Sequence, residues 1–357
     1  MQYNWSKYNL LDRLDELERL KKSAKRKERI IINQNIDFLK DNIDELNNNV
    51  RDDLSYLERL LTSSLYFSNH SFLIDDIKNF SLYLMDLKAQ DFEYNKISMN
   101  RKELLQITHD FYKSQDKDIY KKFMESYKYR SNHLRFENQA DYSGVTYPIP
   151  YYNEDFIEII NEPTIEMLYT IIHEYAHSIA FHFNQYRCMD YNSYFFQEIE
   201  STFFELVASD YLKEKINVGS EYECIYTSLL NILKDSGDLT DYISLIDLYT
   251  KQNIIDNKHL RKLAYEQCDF TSFYFECLMD MDPIDLTPYV ISYIFAIELY
   301  ETYKYDKEKA LYIFKKMALL SDLTSLEYYK EIKKLGLYPN SHLTDFISDL
   351  KDKTLSR

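Results

Sequence analysis

The sequence predicts a mainly α-helical protein with a very small β-sheet, and three observations support this prediction. Only 4 Gly and 6 Pro occur in 357 residues, so few positions interrupt regular structure. Long stretches carry apolar residues at alternating spacings of three and four, which is the period of an amphipathic helix. Residues 156–160 instead form a short, mostly apolar run that follows a segment rich in turn-forming residues, and this pattern is typical of a strand.

The charge balance and the lack of long apolar runs limit the partners of the chain. Its 43 basic and 59 acidic residues give a net charge of −16, spread along the sequence without the basic patch that nucleic acid requires. No stretch approaches the roughly 18 apolar residues of a membrane span, and no secretory segment follows Met1. Four scattered Cys without CxxC spacing fit reduced thiols. We expect a cytoplasmic protein that binds neither nucleic acid nor membranes, and no motif indicates its oligomeric state.

The sequence pattern divides the chain into an N-terminal helical region, residues 1–130, and a second region, residues 131–357. The first is expected to consist of long helices. One helix carries an apolar seam that suits a helical hairpin or coiled coil, and the seam is either the wall of a substrate channel or a packing stripe. It consists of Ile36, Leu39, Ile43, Leu46, Val50, Leu57 and Leu60. In the second region, further helices are predicted over 221–234, 240–262 and 267–280.

His173, Glu174 and His177 form a HExxH motif inside a predicted helix that begins near Pro163. Two His four residues apart lie on one face of a helix, so both imidazoles can reach one ion while Glu174 projects beside them. Zinc binds neutral His nitrogens at about 2.0–2.1 Å, and a catalytic zinc site has three protein ligands and one open position. The motif therefore predicts a site for one Zn²⁺ ion, with a third ligand from elsewhere in the chain.

A second predicted helix, residues 197–212, supplies carboxylates. Glu198, Ser201 and Glu205 fall on one face of it, so a helix packed against the first would present Glu198 to the metal. Glu200 is the competing third ligand, but on a helix of 3.6 residues per turn it points about 200° away from Glu198. The other His of the chain, His182 among them, are interpreted as structural.

The strings HEYAH and QEIESTFFE resemble the zinc motifs of the oligoendopeptidase F and thimet oligopeptidase family. The resemblance implies His173, His177 and Glu198 as zinc ligands and Glu174 as general base. It also implies that Glu205 orients a ligand imidazole through its far nitrogen, whereas the alternative is a solvated helix carboxylate. The implied fold is thimet-oligopeptidase-like, with an active-site cleft between two helical lobes and the small sheet near the zinc helix.

The string PYVISYIFA places Tyr289 and Tyr293 four residues apart, on one face of a predicted helix. Composition alone would assign both to the core, because the chain contains 35 Tyr. The string looks like the tyrosine motif of the same family, which implies that a phenol binds the oxyanion of the tetrahedral intermediate. Nothing in the sequence chooses between the two.

Several departures from the family pattern limit what the resemblance carries over. Ala176 stands where the family usually has Gly, and Ala180 stands where it has a further His. Residues 279–288 contain no His, although the family usually carries one shortly before the tyrosines. The chain is also shorter than typical members. These departures leave the expected ligands intact but bear on substrate positioning and on the length of peptide that fits.

The resemblance implies a zinc-dependent metalloendopeptidase that hydrolyses short unfolded peptides, with a zinc-activated water and Glu174 as its base. A metallocarboxypeptidase is the alternative among enzymes. Outside enzymes, the alternative is a non-catalytic, zinc-stabilised helical protein that binds peptides or a partner. The segment 141–153 either pairs with an extended peptide by strand addition or is a rigid connector.

Overall fold

The structure, a computed structural model, describes residues 56–84, 99–138, 142–149, 154–162, 164–184, 196–215, 221–252, 257–268, 270–320 and 323–355, together with isolated positions. Most of the apolar seam predicted between Ile36 and Leu60 lies outside these ranges, although both of its end residues are buried. The role of the seam as a channel wall or packing stripe therefore stays a prediction.

The described elements are numbered along the chain. The helices before and between the strands are α1 Tyr56–Asn69, α2 Ser71–Leu84, α3 Arg101–Lys113, α4 Lys117–Tyr127 and α5 Arg130–His133. The strands are β1 Leu134–Glu137, β2 Gly144–Ile149 and β3 Glu154–Ile160. The later helices are α6 Ile165–Asn184, α7 Glu198–Lys215, α8 Glu221–Lys251, α9 Asn257–Gln267, α10 Ser272–Asp280, α11 Pro283–Tyr305, α12 Lys307–Met317, α13 Ser325–Lys334 and α14 Leu343–Leu355.

The described chain is mainly α-helical, as predicted, but one predicted helix break is wrong. α8 runs through residues 234–240 as one helix of 31 residues. Gly237 lies in the middle of α8, and a Gly inside a helix costs about 1 kcal/mol relative to Ala. Ile232 and Leu239 on either side of it are buried, and burial of such a side chain contributes about 1.5–3 kcal/mol. Packing therefore outweighs the unfavourable local propensity.

Two compact units make up the chain. The first consists of Met1–Ser64 and Ser244–Met281, and the second consists of Leu65–Ile243 and Asp282–Arg357. In the first unit, the buried Glu276 accepts a hydrogen bond from the Tyr56 hydroxyl at 2.6 Å and pairs with Arg261 at 2.8 Å. All residues predicted for the zinc site lie in the second unit. The division at residue 130 and the cleft between two lobes stay predictions.

The three strands form one small sheet in the order β1-β3-β2, which confirms the sheet expected before the HExxH helix. β3 pairs parallel with β1 and antiparallel with β2, and it extends the predicted strand back to Glu154. Alternate residues of β3 are buried, namely Asp155, Ile157 and Ile159, because this face of the strand lies toward α6. Among the described strands, β2 has no neighbour on its outer edge.

α6 is the helix around which the second unit packs. It contacts α3, α4, α7, β2 and β3. Beneath it, the ring of Phe123 stacks on Tyr112 with centroids 4.7 Å apart and meets Tyr175 edge-on at 5.0 Å. Such aromatic pairs contribute about 0.5–1.5 kcal/mol beyond their buried area. In the described part of the chain, no helix has the length and apolar character needed to cross a membrane.

α11 carries the tyrosine string and packs against α2, α7, α12 and α14. Its start is well defined, because Asp282 accepts a hydrogen bond from the Ile284 backbone N–H at 2.9 Å and Pro283 occupies the first turn. Tyr289 and Tyr293 therefore lie one turn apart in the first half of a helix that contacts α7, the helix of the second motif.

Candidate metal centre

The HExxH motif lies in the middle of α6, and contacts on either side fix this helix. At its start, the Thr164 hydroxyl accepts a hydrogen bond from the Met167 N–H at 3.4 Å. At the motif, the buried Tyr112 donates its hydroxyl proton to the Ile172 carbonyl at 2.6 Å. The second contact ties α3 to the turn of α6 that carries His173, so the backbone of the motif has little freedom to move.

His173, His177 and Glu198 converge from α6 and α7 into one cluster. Nε2 of His173 and Nε2 of His177 lie 3.1 Å apart. Oε2 of Glu198 lies 3.0 Å from the first nitrogen and 3.3 Å from the second. The Ser201 hydroxyl, one turn further along α7, lies 3.2 Å from the same oxygen and holds the carboxylate toward the imidazoles.

The donor set fits a single divalent ion. Four atoms arranged tetrahedrally at about 2.0–2.1 Å from zinc are about 3.3 Å from one another. The three observed donor separations, 3.0, 3.1 and 3.3 Å, are close to that edge length. The side chains of His173, His177 and Glu198 are 20%, 13% and 21% exposed, so one side of the cluster stays accessible. Two imidazoles and a carboxylate are the donors expected of zinc, and zinc itself stays a prediction.

The protonation of the cluster is governed by its own charges. Burial lowers the pKa of His173, but Glu205 and Glu198 outweigh it and hold this pKa well above its usual value. The pKa of His177 is also raised by Glu198, against the effect of burial. Burial raises the pKa of Glu198, but His177 and His173 outweigh it and hold this pKa well below its usual range. Protons therefore compete with a metal ion for the two nitrogen atoms.

Glu205 lies against the far side of the cluster. Its Oε1 is 2.8 Å from Nδ1 of His173, the ring nitrogen that points away from His177, and its side chain is 19% exposed. An acceptor at this nitrogen places the proton on Nδ1 and leaves Nε2 with a free lone pair for an ion. Glu205 therefore differs from a solvated helix carboxylate, which was the alternative interpretation of this residue.

Glu174 is buried and is held by the edge strand β2. The Thr146 hydroxyl lies 2.7 Å from Oε2 of Glu174 and 3.0 Å from its backbone carbonyl oxygen, so it donates to one of two neighbouring acceptors. A Cβ at Gly144 would lie 2.8 Å from Oε1 and 2.9 Å from Cγ of Glu174, and 2.6 Å from Cγ2 of Thr170. The closeness of β2 to α6 at this point therefore requires Gly at position 144.

Gly144→Ala should disturb the carboxylate of Glu174 directly. The added methyl group would come closer than real Cβ atoms do to two side chains, so either β2 or the carboxylate must move. A misplacement of about 1 Å at a reacting group lowers a rate by up to about 10²-fold. If the chain hydrolyses peptides, as the motif resemblance implies, kcat/KM for that reaction should fall about 10–100-fold.

Gly237→Ala is the matched control for this substitution, because a Cβ at position 237 meets open space within α8. It should leave cleavage unchanged and stabilise the protein by up to about 1 kcal/mol. Equal activity of both variants and the wild type would show that the contact between β2 and Glu174 has no part in catalysis.

Glu200, the competing third ligand, lies outside the cluster. Its side chain is buried, Oε2 has no hydrogen-bond partner among the described residues, and burial raises its pKa to about 8. It lines a cavity of about 30 Å³ together with His177, Asn184 and Gln197. A cavity needs about 10–15 Å³ to hold one water, so this one has room for a water that would hydrogen-bond the carboxyl group.

The two predicted oxyanion residues differ in their surroundings. Tyr293 is buried and hydrogen-bonded to Ser228 of α8, and burial, together with the nearby charge of Glu205, raises its pKa far above the usual value. Tyr289, one turn earlier, is 48% exposed and accessible to a substrate. The structure thus brings Tyr293 to the neighbourhood of Glu205, and the oxyanion role of either phenol stays a prediction.

Sequence reasoning missed the residues that hold the site from outside its motifs. Thr146, Gly144 and Tyr112 contact the HExxH helix from 26 to 60 residues away in the sequence. One signal was available for Gly144, because glycine is rare in this chain, with only 4 occurrences, and a rare glycine often stands where another residue does not fit. The contact of Tyr112 had no such signal among 35 Tyr.

No family model matches the sequence, and no curated protein matches it. Solved structures do match. A candidate oligoendopeptidase F, determined by X-ray at 3.1 Å, has a TM-score of 0.58 and 10% identity over 96% of this chain and 71% of that chain. A candidate oligoendopeptidase F from Bacillus anthracis str. Ames has a TM-score of 0.54 and 11% identity, over 93% and 68%. PZ peptidase A, solved with an inhibitor, has a TM-score of 0.53 and 11% identity, over 86% and 60%.

These matches establish the fold. The chain has the fold of oligoendopeptidase F-type structures, which confirms the mainly α-helical fold with a small sheet that the motif resemblance implied. It spans between 60% and 71% of the lengths of the three matched chains. All three structures are named as peptidases, and at 10–11% identity the comparison establishes the fold alone.

Proposed function

We propose that this protein is a zinc-dependent endopeptidase that hydrolyses peptide bonds in short unfolded peptides. The observation that carries the proposal is the arrangement of four side chains. His173, His177 and Glu198 form a donor set with the spacing of one ion. Glu174 projects beside them from α6, the helix that carries both His. Structural cation sites are usually closed by a fourth protein ligand, whereas three donors with partial exposure suit a catalytic site.

Each residue of the site has a distinct role in the proposed hydrolysis. A bound zinc ion would supply Lewis acidity toward a water molecule and toward the scissile carbonyl. Glu174 takes the proton of the attacking water and delivers it to the leaving amine, and Thr146 keeps its carboxylate oriented. Glu205 holds His173 in the tautomer that leaves Nε2 available. Tyr289 or Tyr293 donates a hydrogen bond to the oxyanion.

The edge strand β2 suits the binding of an extended peptide. Its inner edge pairs with β3, its outer edge has no strand neighbour in the described chain, and its residues Gly144 and Thr146 lie directly on Glu174. A peptide that adds to such an edge gains main-chain hydrogen bonds with little dependence on sequence. Strand addition would also require the substrate to be unfolded, which agrees with short peptides as the substrate class.

The test is cleavage of a mixed library of internally quenched peptides by the purified protein, with its bound metal quantified. We expect about one zinc ion per chain, loss of cleavage after treatment with a chelator, and recovery on addition of zinc. Mass spectrometry of the products separates internal cleavage from removal of C-terminal residues, which would indicate a carboxypeptidase. Bound zinc without cleavage of any peptide would contradict the proposal and favour a zinc-stabilised binding protein.

A further inference from the structure

A second cavity, of about 250 Å³, lies beside the candidate metal centre and is lined by residues of α6, α7 and α8. One of its walls is Glu205, the residue that contacts His173. Ser228, the hydrogen-bond partner of Tyr293, forms another part of the wall. A single water needs about 10–15 Å³, so this cavity has room for a long side chain.

The cavity lies within reach of the reacting bond. Glu166 and Thr170 line it, and they precede Glu174 by eight and four residues on the same face of α6. With a rise of 1.5 Å per residue, these two positions are about 12 Å and 6 Å from Glu174 along the helix. An extended peptide advances about 3.3 Å per residue. The cavity would therefore receive the side chain of a residue within about three positions of the scissile bond.

The charge in the cavity is negative. Glu166 is exposed, and among the described residues its carboxylate has no ion-pair partner. None of the described residues that line the cavity is Lys or Arg. The thiol of Cys224, which also lines the cavity, experiences the same negative potential. Burial raises its pKa to about 12, together with the charges of Glu166, Glu223, Glu221 and Glu205.

The lining combines an apolar base with polar acceptors. Tyr169 and Ile225 are buried and offer apolar surface, whereas Thr170, Ser228 and Asn231 add hydroxyl and amide groups. Lysine and arginine side chains complement this lining. Their apolar stem suits the apolar surface, and their charged head carries several N–H donors for the polar acceptors. Glu166 is the one lining carboxylate that is not already committed to a ligand imidazole.

We propose that this cavity is a substrate subsite for a lysine or arginine side chain near the scissile bond, and that Glu166 is the residue that selects the positive charge. The inference rests on the proposed peptidase function, and it adds the class of peptide that the site prefers. Glu166 acts on binding of the substrate and takes no part in the proton transfers of Glu174.

The test compares quenched peptides that are identical except for one residue, placed in turn at the three positions on each side of the cut. That residue is arginine, lysine, or the uncharged arginine analogue citrulline. For the wild type we expect at least one position where arginine or lysine raises kcat/KM about tenfold over citrulline, as a charge-assisted hydrogen bond would. Glu166→Gln should bring the ratio close to 1. Glu166→Lys should reverse the preference, so that a glutamate-containing peptide becomes the better substrate.

Glu162→Gln is the matched control, because Glu162 is an exposed carboxylate four residues earlier in the sequence, before the start of α6, and does not line the cavity. It should keep the wild-type ratio. Cleavage without a basic preference at any position, or an unchanged preference in Glu166→Gln, would overturn the subsite while leaving the peptidase function in place.

A binding measurement separates this inference from the proposed function. Fluorescent arginine- and citrulline-containing peptides are titrated onto the zinc-loaded protein, and their anisotropy is recorded. If no peptide is cleaved but the arginine peptide binds about tenfold more tightly in a Glu166-dependent manner, the proposed hydrolysis fails and the cavity assignment stands. Equal binding of both peptides would overturn the cavity assignment.

Discussion

Glu174→Gln should lower kcat/KM for peptide hydrolysis by about 10²–10⁴-fold, the range that a positioned acid–base group contributes. Gln has the shape of Glu and still accepts a hydrogen bond from the Thr146 hydroxyl, which lies 2.7 Å from Oε2 of Glu174. Its amide cannot take up the proton of an attacking water. The three donor residues of the metal cluster are unchanged, so the variant should bind as much zinc as the wild type.

The measurement for Glu174→Gln is steady-state cleavage of a peptide substrate, together with the zinc content of both proteins. Glu214→Gln serves as the control, because Glu214 is an exposed carboxylate near the end of α7 and outside the cluster. Control and wild type should cleave at the same rate. If Glu174→Gln keeps both its zinc and its activity, a different group takes the proton and the proposed mechanism is wrong.

The helical period explains why the metal cluster could be anticipated from the sequence. The spacing of His173 and His177 places both on one face of any α-helix, and the spacing of Glu198, Ser201 and Glu205 does the same on the next helix. The structure brings these faces together, with Glu198 3.0 Å from His173 and Glu205 on the opposite side of the same ring. Local periodicity is a property of a few residues, so it can be derived without knowledge of the fold.

Contacts between distant elements could not be derived in this way. The cavity beside the cluster requires the relative placement of α6, α7 and α8, and no short pattern encodes that placement. The continuity of α8 through Gly237 was also missed, because the local preference for a break is smaller than the packing of the buried residues around it. Sequence reasoning therefore identified the residues that converge in the cluster better than the residues that shape the space around them.

A buried contact between a histidine and an aspartate near the end of α6 shows the same limit, and it anchors the helix to the sheet. His182 is 3% exposed, and its Nε2 lies 3.2 Å from Oδ1 of Asp155, which is 1% exposed on the inner face of β3. The Ser126 hydroxyl donates to Oδ2 of Asp155 at 3.0 Å, and Glu125 lies 3.4 Å from Nδ1 of His182. The interpretation of His182 as structural agrees with these contacts, but its partner 27 residues away had no signature in the sequence.

His182→Ala should destabilise the protein by about 2–5 kcal/mol, because it removes a hydrogen-bond partner from the buried carboxylate of Asp155 and also opens a cavity. The free energy of unfolding is measured from urea transitions with zinc kept saturating for every variant. Lys334→Ala is the control, since it breaks an exposed ion pair with Glu331 and should change stability by less than about 1 kcal/mol.

The double variant His182→Ala/Asp155→Ala distinguishes a direct interaction between the two side chains from simple loss of packing. Removal of Asp155 from the His182→Ala protein takes away the buried carboxylate that His182 no longer contacts, so the double variant should lose clearly less stability than the sum of the two single variants. Strict additivity of the two losses would mean that the side chains do not interact. In that case the end of α6 is held to β3 by apolar packing, and the sheet above Glu174 does not depend on this pair for its position.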